Sequence, residues 1–108
     1  MLALLSVPAF TTLCGSCNTP TLPIPPPNFT LERGAPGYAL VSGSQSDAGA
    51  AAYVLAYNRD LERGVFERVD ALGFRIEVPA DPGHWIIVYG VTATWEFGMP
   101  SDPRVVPP

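Results

Sequence analysis

Lysine is absent from this chain of 108 residues; its six basic side chains are all arginine, set against ten carboxylates for a net charge of −4. Arg59, Arg63, Arg68 and Arg75 each have an acid close by in sequence, so no basic stripe exists to displace counterions from a phosphate backbone. That excludes nucleic acid as a partner. Histidine occurs once, as His84, and cysteine twice, as Cys14 and Cys17. A zinc site needs about four nitrogen or sulfur ligands, and a hydrolytic triad needs a nucleophile beside its histidine. Ser42, Ser44 and Ser46 lack the strand-turn-helix elbow that activates a serine, and no two carboxylates stand out as an acid–base pair. Asp47, Asp81 and Asp102 fall in separate loops, which leaves calcium without clustered oxygen ligands. The expectation is a protein that is not an enzyme and that has no metal and no cofactor.

Long helical segments are missing too. Thirteen prolines and ten glycines interrupt the chain too often for a helical bundle, and no stretch offers the crossover helix of about ten residues that a parallel α/β sheet requires. The length allows one domain.

What is present begins with an uncharged leader. Residues 1–31 carry no charged side chain, and Met1 to Leu13 is apolar with small residues toward its end. It is far shorter than the roughly 20 residues that span a bilayer, and has the length of a signal h-region without a positive n-region before it. Cys14 and Cys17 follow. A redox pair would need a helix start to lower the thiol pKa, and Asn18-Thr19-Pro20-Thr21-Leu22-Pro23 cannot form one. Gly15-Ser16-Cys17 instead resembles a bacterial lipobox, in which small residues precede the cysteine that is lipidated. It departs from that pattern in carrying Cys14 where a leucine is expected. The resemblance implies lipid attachment at Cys17, membrane contact through that anchor, and a location in the cell envelope.

Asn18 to Pro36 holds six prolines in nineteen residues. Fixed proline φ angles and the Pro25-Pro26-Pro27 run predict a semi-rigid polyproline spacer. The organisation expected is therefore a disordered leader with its signal-like segment over 1–17, a tether over 18–37 and a folded domain over 38–108.

Within that domain short apolar runs alternate with turn signals. Strands are expected over Tyr38–Ser44, Ala51–Tyr57, Val65–Val69, Phe74–Val78 and His84–Val91, with Thr92–Phe97 continuing the last or forming another and Arg104–Val106 as an edge strand. A helix over Ala48–Arg59 is the rival for the second of these. Gln45–Gly49 is loop chemistry. Gly73 is placed to take positive φ in a tight turn, with Asp70 capping that turn through its side chain. Six or seven strands with turns every 8 to 12 residues predict an all-β, antiparallel Greek-key sandwich, with a small closed barrel as the alternative.

Asp70-Ala71-Leu72-Gly73-Phe74 followed by Val78-Pro79-Ala80-Asp81-Pro82-Gly83-His84-Trp85 resembles the turn-built core of carboxypeptidase-regulatory-like (transthyretin-like) and bacterial immunoglobulin-like sandwich domains. The resemblance covers roughly residues 38–92. It implies an accessory, spacer or adhesion module of envelope and secreted proteins, and it brings no active site with it.

Aromatic side chains are the remaining lead. Trp85 and Tyr89 are expected in the core and Trp95 stands between core and surface. The function these features point to is a non-catalytic envelope lipoprotein acting as a structural or protein-interaction module. The alternative is a carbohydrate- or small-ligand-binding module using Trp95, Phe97 and Tyr38.

Overall fold

Phe74, Ile76 and Val78 are buried while Arg75 and Glu77 between them are exposed, the two-residue beat of a strand with one wet face. The same beat runs through the chain in the computed structural model, which describes residues 23–108. The described residues form eight strands and one helical turn: β1 (Thr30–Arg33), β2 (Tyr38–Gly43), α1 (Gln45–Ala48), β3 (Tyr53–Asn58), β4 (Arg63–Arg68), β5 (Phe74–Pro79), β6 (Trp85–Val91), β7 (Phe97–Pro100) and β8 (Arg104–Val105). Cys14 and Cys17 lie outside the described residues.

All pairings are antiparallel and fall into two sheets. One has the order β1-β2-β5; the other has the order β4-β3-β6-β7, with β8 also pairing with β6. The chain makes β1 and β2 in the smaller sheet, crosses to β3 and β4, returns to β5 beside β2, and crosses again to β6 beside β3. This is a Greek-key sandwich. Relative to the constant-type immunoglobulin arrangement, which keeps its fourth strand in the first sheet, β4 here has switched to the second.

The core between the sheets is made of small aliphatic side chains. Ala39 and Val41 face inward from β2, Ile76 and Val78 from β5, Val54 and Ala56 from β3, and Ile86 and Val88 from β6, all fully buried. Each buried Val or Ile contributes roughly 1.5–3 kcal/mol. Phe29 and Phe74 are the aromatic members of this cluster.

The second strand is a strand, not the rival helix, since β3 pairs on both sides, with β4 and β6. The Gln45–Gly49 loop contains α1, one turn closed by a capping box in which Ser44 Oγ accepts from Asp47 N and Asp47 Oδ2 accepts from Ser44 N. The turn before β5 follows expectation. Asp70 Oδ1 accepts from Leu72 N at 2.9 Å, and Gly73 has φ +105°.

The segment expected as a free spacer differs. From Ile24 onward it is part of the sandwich. Phe29 is in the core and Pro27 is buried. Leu31 on β1 and Ile24 pack against the core. Ile24 O accepts from Met99 N at 2.9 Å, and a Cβ on Gly98 would strike Ile24. Prolines lack the N–H that a further strand would recruit, so a proline run is suited to lying along and closing a sheet edge. The folded unit therefore reaches back past Tyr38 to Ile24.

Candidate functional site

Inward positions on β3 and β6 carry Val, Ala and Ile, which leaves the large side chains of these strands on the opposite face. Tyr53, Leu55 and Tyr57 alternate with Val54, Ala56 and Asn58, and Trp85, Ile87 and Tyr89 alternate with Ile86 and Val88. Register carries this face across the sheet. Leu55 stands opposite Phe66 on β4 and Tyr89 on β6, while Tyr53 stands opposite Arg68 and Val91. Val91 in turn pairs with Phe97 on β7. Leu55 and Val91 are buried without belonging to the intersheet core. They are covered by the aromatic layer above them.

That layer has defined geometry. The Trp95 indole stacks on Tyr53 with centroids 4.3 Å apart and planes 18° apart. Phe66 meets Trp95 edge-on at 5.8 Å and Phe97 at 6.0 Å, and Phe97 meets Tyr89 edge-on at 5.9 Å. Offset and edge-to-face pairs of this kind are the favoured arrangements of aromatic quadrupoles. The cluster is nonetheless open to solvent, with Trp95 55%, Phe97 53% and Phe66 43% exposed.

Trp95 reaches Tyr53 because its backbone is forced. It has φ +65°, a left-handed conformation that is unfavourable for a bulky L-residue. The β6–β7 turn fixes it there: Trp95 N donates to Thr92 O, Thr92 N to Glu96 O, and Glu96 N to Thr92 Oγ1, at 2.9–3.0 Å.

The lower end of the same face is built around Trp85, which is exposed rather than in the core. Its strand register puts Ile86 inward instead, so Trp85 faces out beside Val105. The Arg59 guanidinium lies 5.3 Å from the Trp85 ring centroid. Tyr89 is half-buried on the outer face, also outside the core. Of two Trp, four Tyr and five Phe in the chain, seven side chains thus sit on this one face.

Of the residues singled out from sequence, Trp95 and Phe97 come together in the cluster. Tyr38 does not join them. Its neighbours Ala39 and Val41 face the core, so Tyr38 points away from it on the smaller sheet, on the opposite side of the sandwich. Tyr53 and Phe66 complete the cluster and were not singled out. The usable signal was the spacing of Tyr53, Leu55 and Tyr57 against Val54 and Ala56, with the larger side chains all on one parity.

His84 is structural in its surroundings. Its Nδ1 accepts from Asn58 Nδ2 and from Asp81 N, both at 3.1 Å, which places the ring proton on Nε2. Asn58, fully buried, also donates to Pro79 O at 2.9 Å and accepts from Asp60 N and Leu61 N at 2.9 and 3.0 Å. Asp60 Oδ2 accepts from Trp85 N at 2.7 Å, so this network braces the base of the aromatic face.

Among the described residues no group of three or more His, Cys, Asp or Glu is placed to hold a metal ion, and no helix is long and apolar enough to cross a membrane. Compared with known protein families, curated proteins and solved structures, the chain matches none.

Proposed function

We propose that this chain is a non-catalytic protein-interaction module of the cell envelope, and that the outer aromatic face of its larger sheet is the contact surface. One observation carries the reading: seven aromatic side chains, both tryptophans among them, lie on the outer face of the larger sheet, while the core between the sheets is filled mainly by Val, Ala and Ile, with Phe29 and Phe74 as its aromatic members among the described residues. A domain this small gains most by burying its largest apolar side chains. Displaying Trp95, Phe97 and Phe66, one of them at an unfavourable φ, is the mark of a surface that another molecule covers.

The composition of the face favours a protein partner. Aromatic residues and arginine are enriched at interface cores, while lysine and carboxylates are depleted. The outward strand positions of the larger sheet carry aromatics and Arg68 and hold no carboxylate. The envelope setting rests on the lipobox-like cysteine and on the resemblance of the Asp70–Trp85 turns to envelope sandwich domains. In this reading Cys17 carries the lipid.

Photo-crosslinking in cells tests both parts. A benzophenone amino acid at position 97 is expected to give protein adducts in the detergent-extracted membrane fraction, and the same label at position 38 is not. Equal adducts from the two faces, or adducts in the soluble fraction alone, would overturn the reading.

A further inference from the structure

We propose that the partner of the aromatic face is an acidic polypeptide segment, with carboxylates flanking a short apolar stretch. This rests on the reading of that face as a contact surface and adds the chemistry of what covers it.

The face has a cation at each end. Arg68 stands opposite Tyr53 at the Trp95 end, and Arg59 follows β3 directly and lies over Trp85 at the other. The distance along β3 from position 53 to 59 is about 20 Å at roughly 3.3 Å per residue. Between these ends the exposed strand positions are apolar or aromatic. Asp60, the nearby acid at the Arg59 end, is turned onto the Trp85 backbone. Glu96, exposed in the turn between Trp95 and Phe97, is the acid at the Trp95 end, so what distinguishes the face is the placing of its arginines at the two ends of an apolar strip.

Charge complementarity selects among occupants. A second copy packed face to face would present the same two arginines with Glu96 as the carboxylate of the cluster to receive them, a poorer match than a segment carrying carboxylates at both ends. A polysaccharide would bring many hydroxyls over a surface whose hydrogen-bonding groups are two guanidiniums and a few tyrosine hydroxyls. Burying those hydroxyls unpaired costs affinity. A peptide of about six extended residues spans the strip, sets its carboxylates against Arg59 and Arg68, and lays apolar side chains on Trp95, Phe66 and Trp85.

The test uses the full chain and two synthetic peptide pools of one design. Each has a randomised Leu/Ile/Phe/Trp centre, flanked in one pool by glutamates and in the other by lysines, and binding is read by fluorescence polarisation. The glutamate pool is expected to bind about tenfold or more tighter, with the preference collapsing near 1 M salt. The Arg59→Glu/Arg68→Glu double variant is expected to reverse it. Equal binding of the pools, a glutamate preference that survives the double variant, no binding of either pool, tighter binding of alginate oligosaccharides, or dimerisation of the chain alone in sedimentation would each overturn the proposal. The Trp95→Ala variant separates the two levels of inference. If both pools bind equally and both are lost in this variant, the contact surface stands and only the acidic partner falls.

Discussion

The Arg104 guanidinium lies 4.0 Å from the centre of the Phe29 ring and donates a 2.7 Å hydrogen bond to the Phe29 carbonyl. One residue precedes the first described strand and the other belongs to the last. Together they clip the segment leading into β1 of the smaller sheet to β8 of the larger. Arg104→Ala removes a cation–π contact and a charged hydrogen bond, for a loss of about 2 kcal/mol. In a domain of this size that lowers the melting temperature by roughly 8–15 °C. Arg104→Met, which keeps an apolar stem on the ring, is expected to melt between the two. Thermal unfolding followed by circular dichroism measures this, and a variant that melts with the parent would show that the clip contributes nothing.

The same segment sets where the chain can be cut. A chain beginning at Pro23 keeps every contact described above. One beginning at Tyr38 loses β1, Ile24 and Phe29 together. Deleting a buried phenylalanine alone costs about 3–5 kcal/mol against a typical total of about 5–15. The shorter chain is therefore expected to lose its cooperative urea transition, and the longer one to retain it.

Glycines at turns divide into two kinds. A Cβ on Gly73 would fall on the Gly43 carbonyl oxygen and the Ser44 backbone, at φ +105°. A Cβ on Gly83, at φ +91°, would meet nothing. Gly83→Ala therefore costs only the backbone term, about 1 kcal/mol. Gly73→Ala must also push the β2–α1 junction away from β5, and is expected to cost about 3 kcal/mol or more. Urea unfolding of the two variants side by side gives the difference, and equal midpoints would refute it.

The strands were legible in sequence because a sheet with one buried face leaves a two-residue beat, clearest in Phe74–Val78. Gly73 and Asp70 were legible because a tight turn demands those residue types. The contribution of Ile24 and Phe29 was not, since a proline run has the same composition whether it stands free or lies along a sheet edge. Only the tertiary contact decides. The position of Trp85 was not legible either. Large apolar residues are usually inside, yet between sheets packed about 10 Å apart the inward positions of β6 next to Trp85 carry Ile86 and Val88. With Ile86 inward, Trp85 had to face out. Trp95 and Phe97 were found by type, and their partners Tyr53 and Phe66 needed the register.

Asn58 is the polar residue on which the Trp85 end depends. All four of its side-chain hydrogen-bonding positions are used, two to Asp60 and Leu61 and two to Pro79 and His84. Asn58→Ala strands several buried partners and is expected to cost about 3 kcal/mol or more. Asn58→Asp is nearly isosteric but sets an oxygen against the Pro79 carbonyl and His84 Nδ1, so it should be at least as costly. Thermal melts of both variants check this, and an aspartate variant as stable as the parent would show that the donor side of the network is dispensable.

Trp95 allows structure and recognition to be separated. Its φ of +65° is one that glycine adopts freely. Trp95→Gly gives up the stack on Tyr53 and the edge contact with Phe66, about 0.5–1.5 kcal/mol each beyond the area they bury, and regains a backbone cost of about 1–2 kcal/mol. The regained backbone term offsets much of the loss, so the variant is expected to stay folded, about 1–2 kcal/mol less stable than the parent. Its crosslinking from position 97 should nonetheless fall steeply, because the flat indole has gone from the contact face. Trp85 remains as a fluorescent reporter that the fold is intact. A glycine variant that is much less stable would mean that the indole is there for the fold. One that is stable and still crosslinks fully would mean that the partner does not use it.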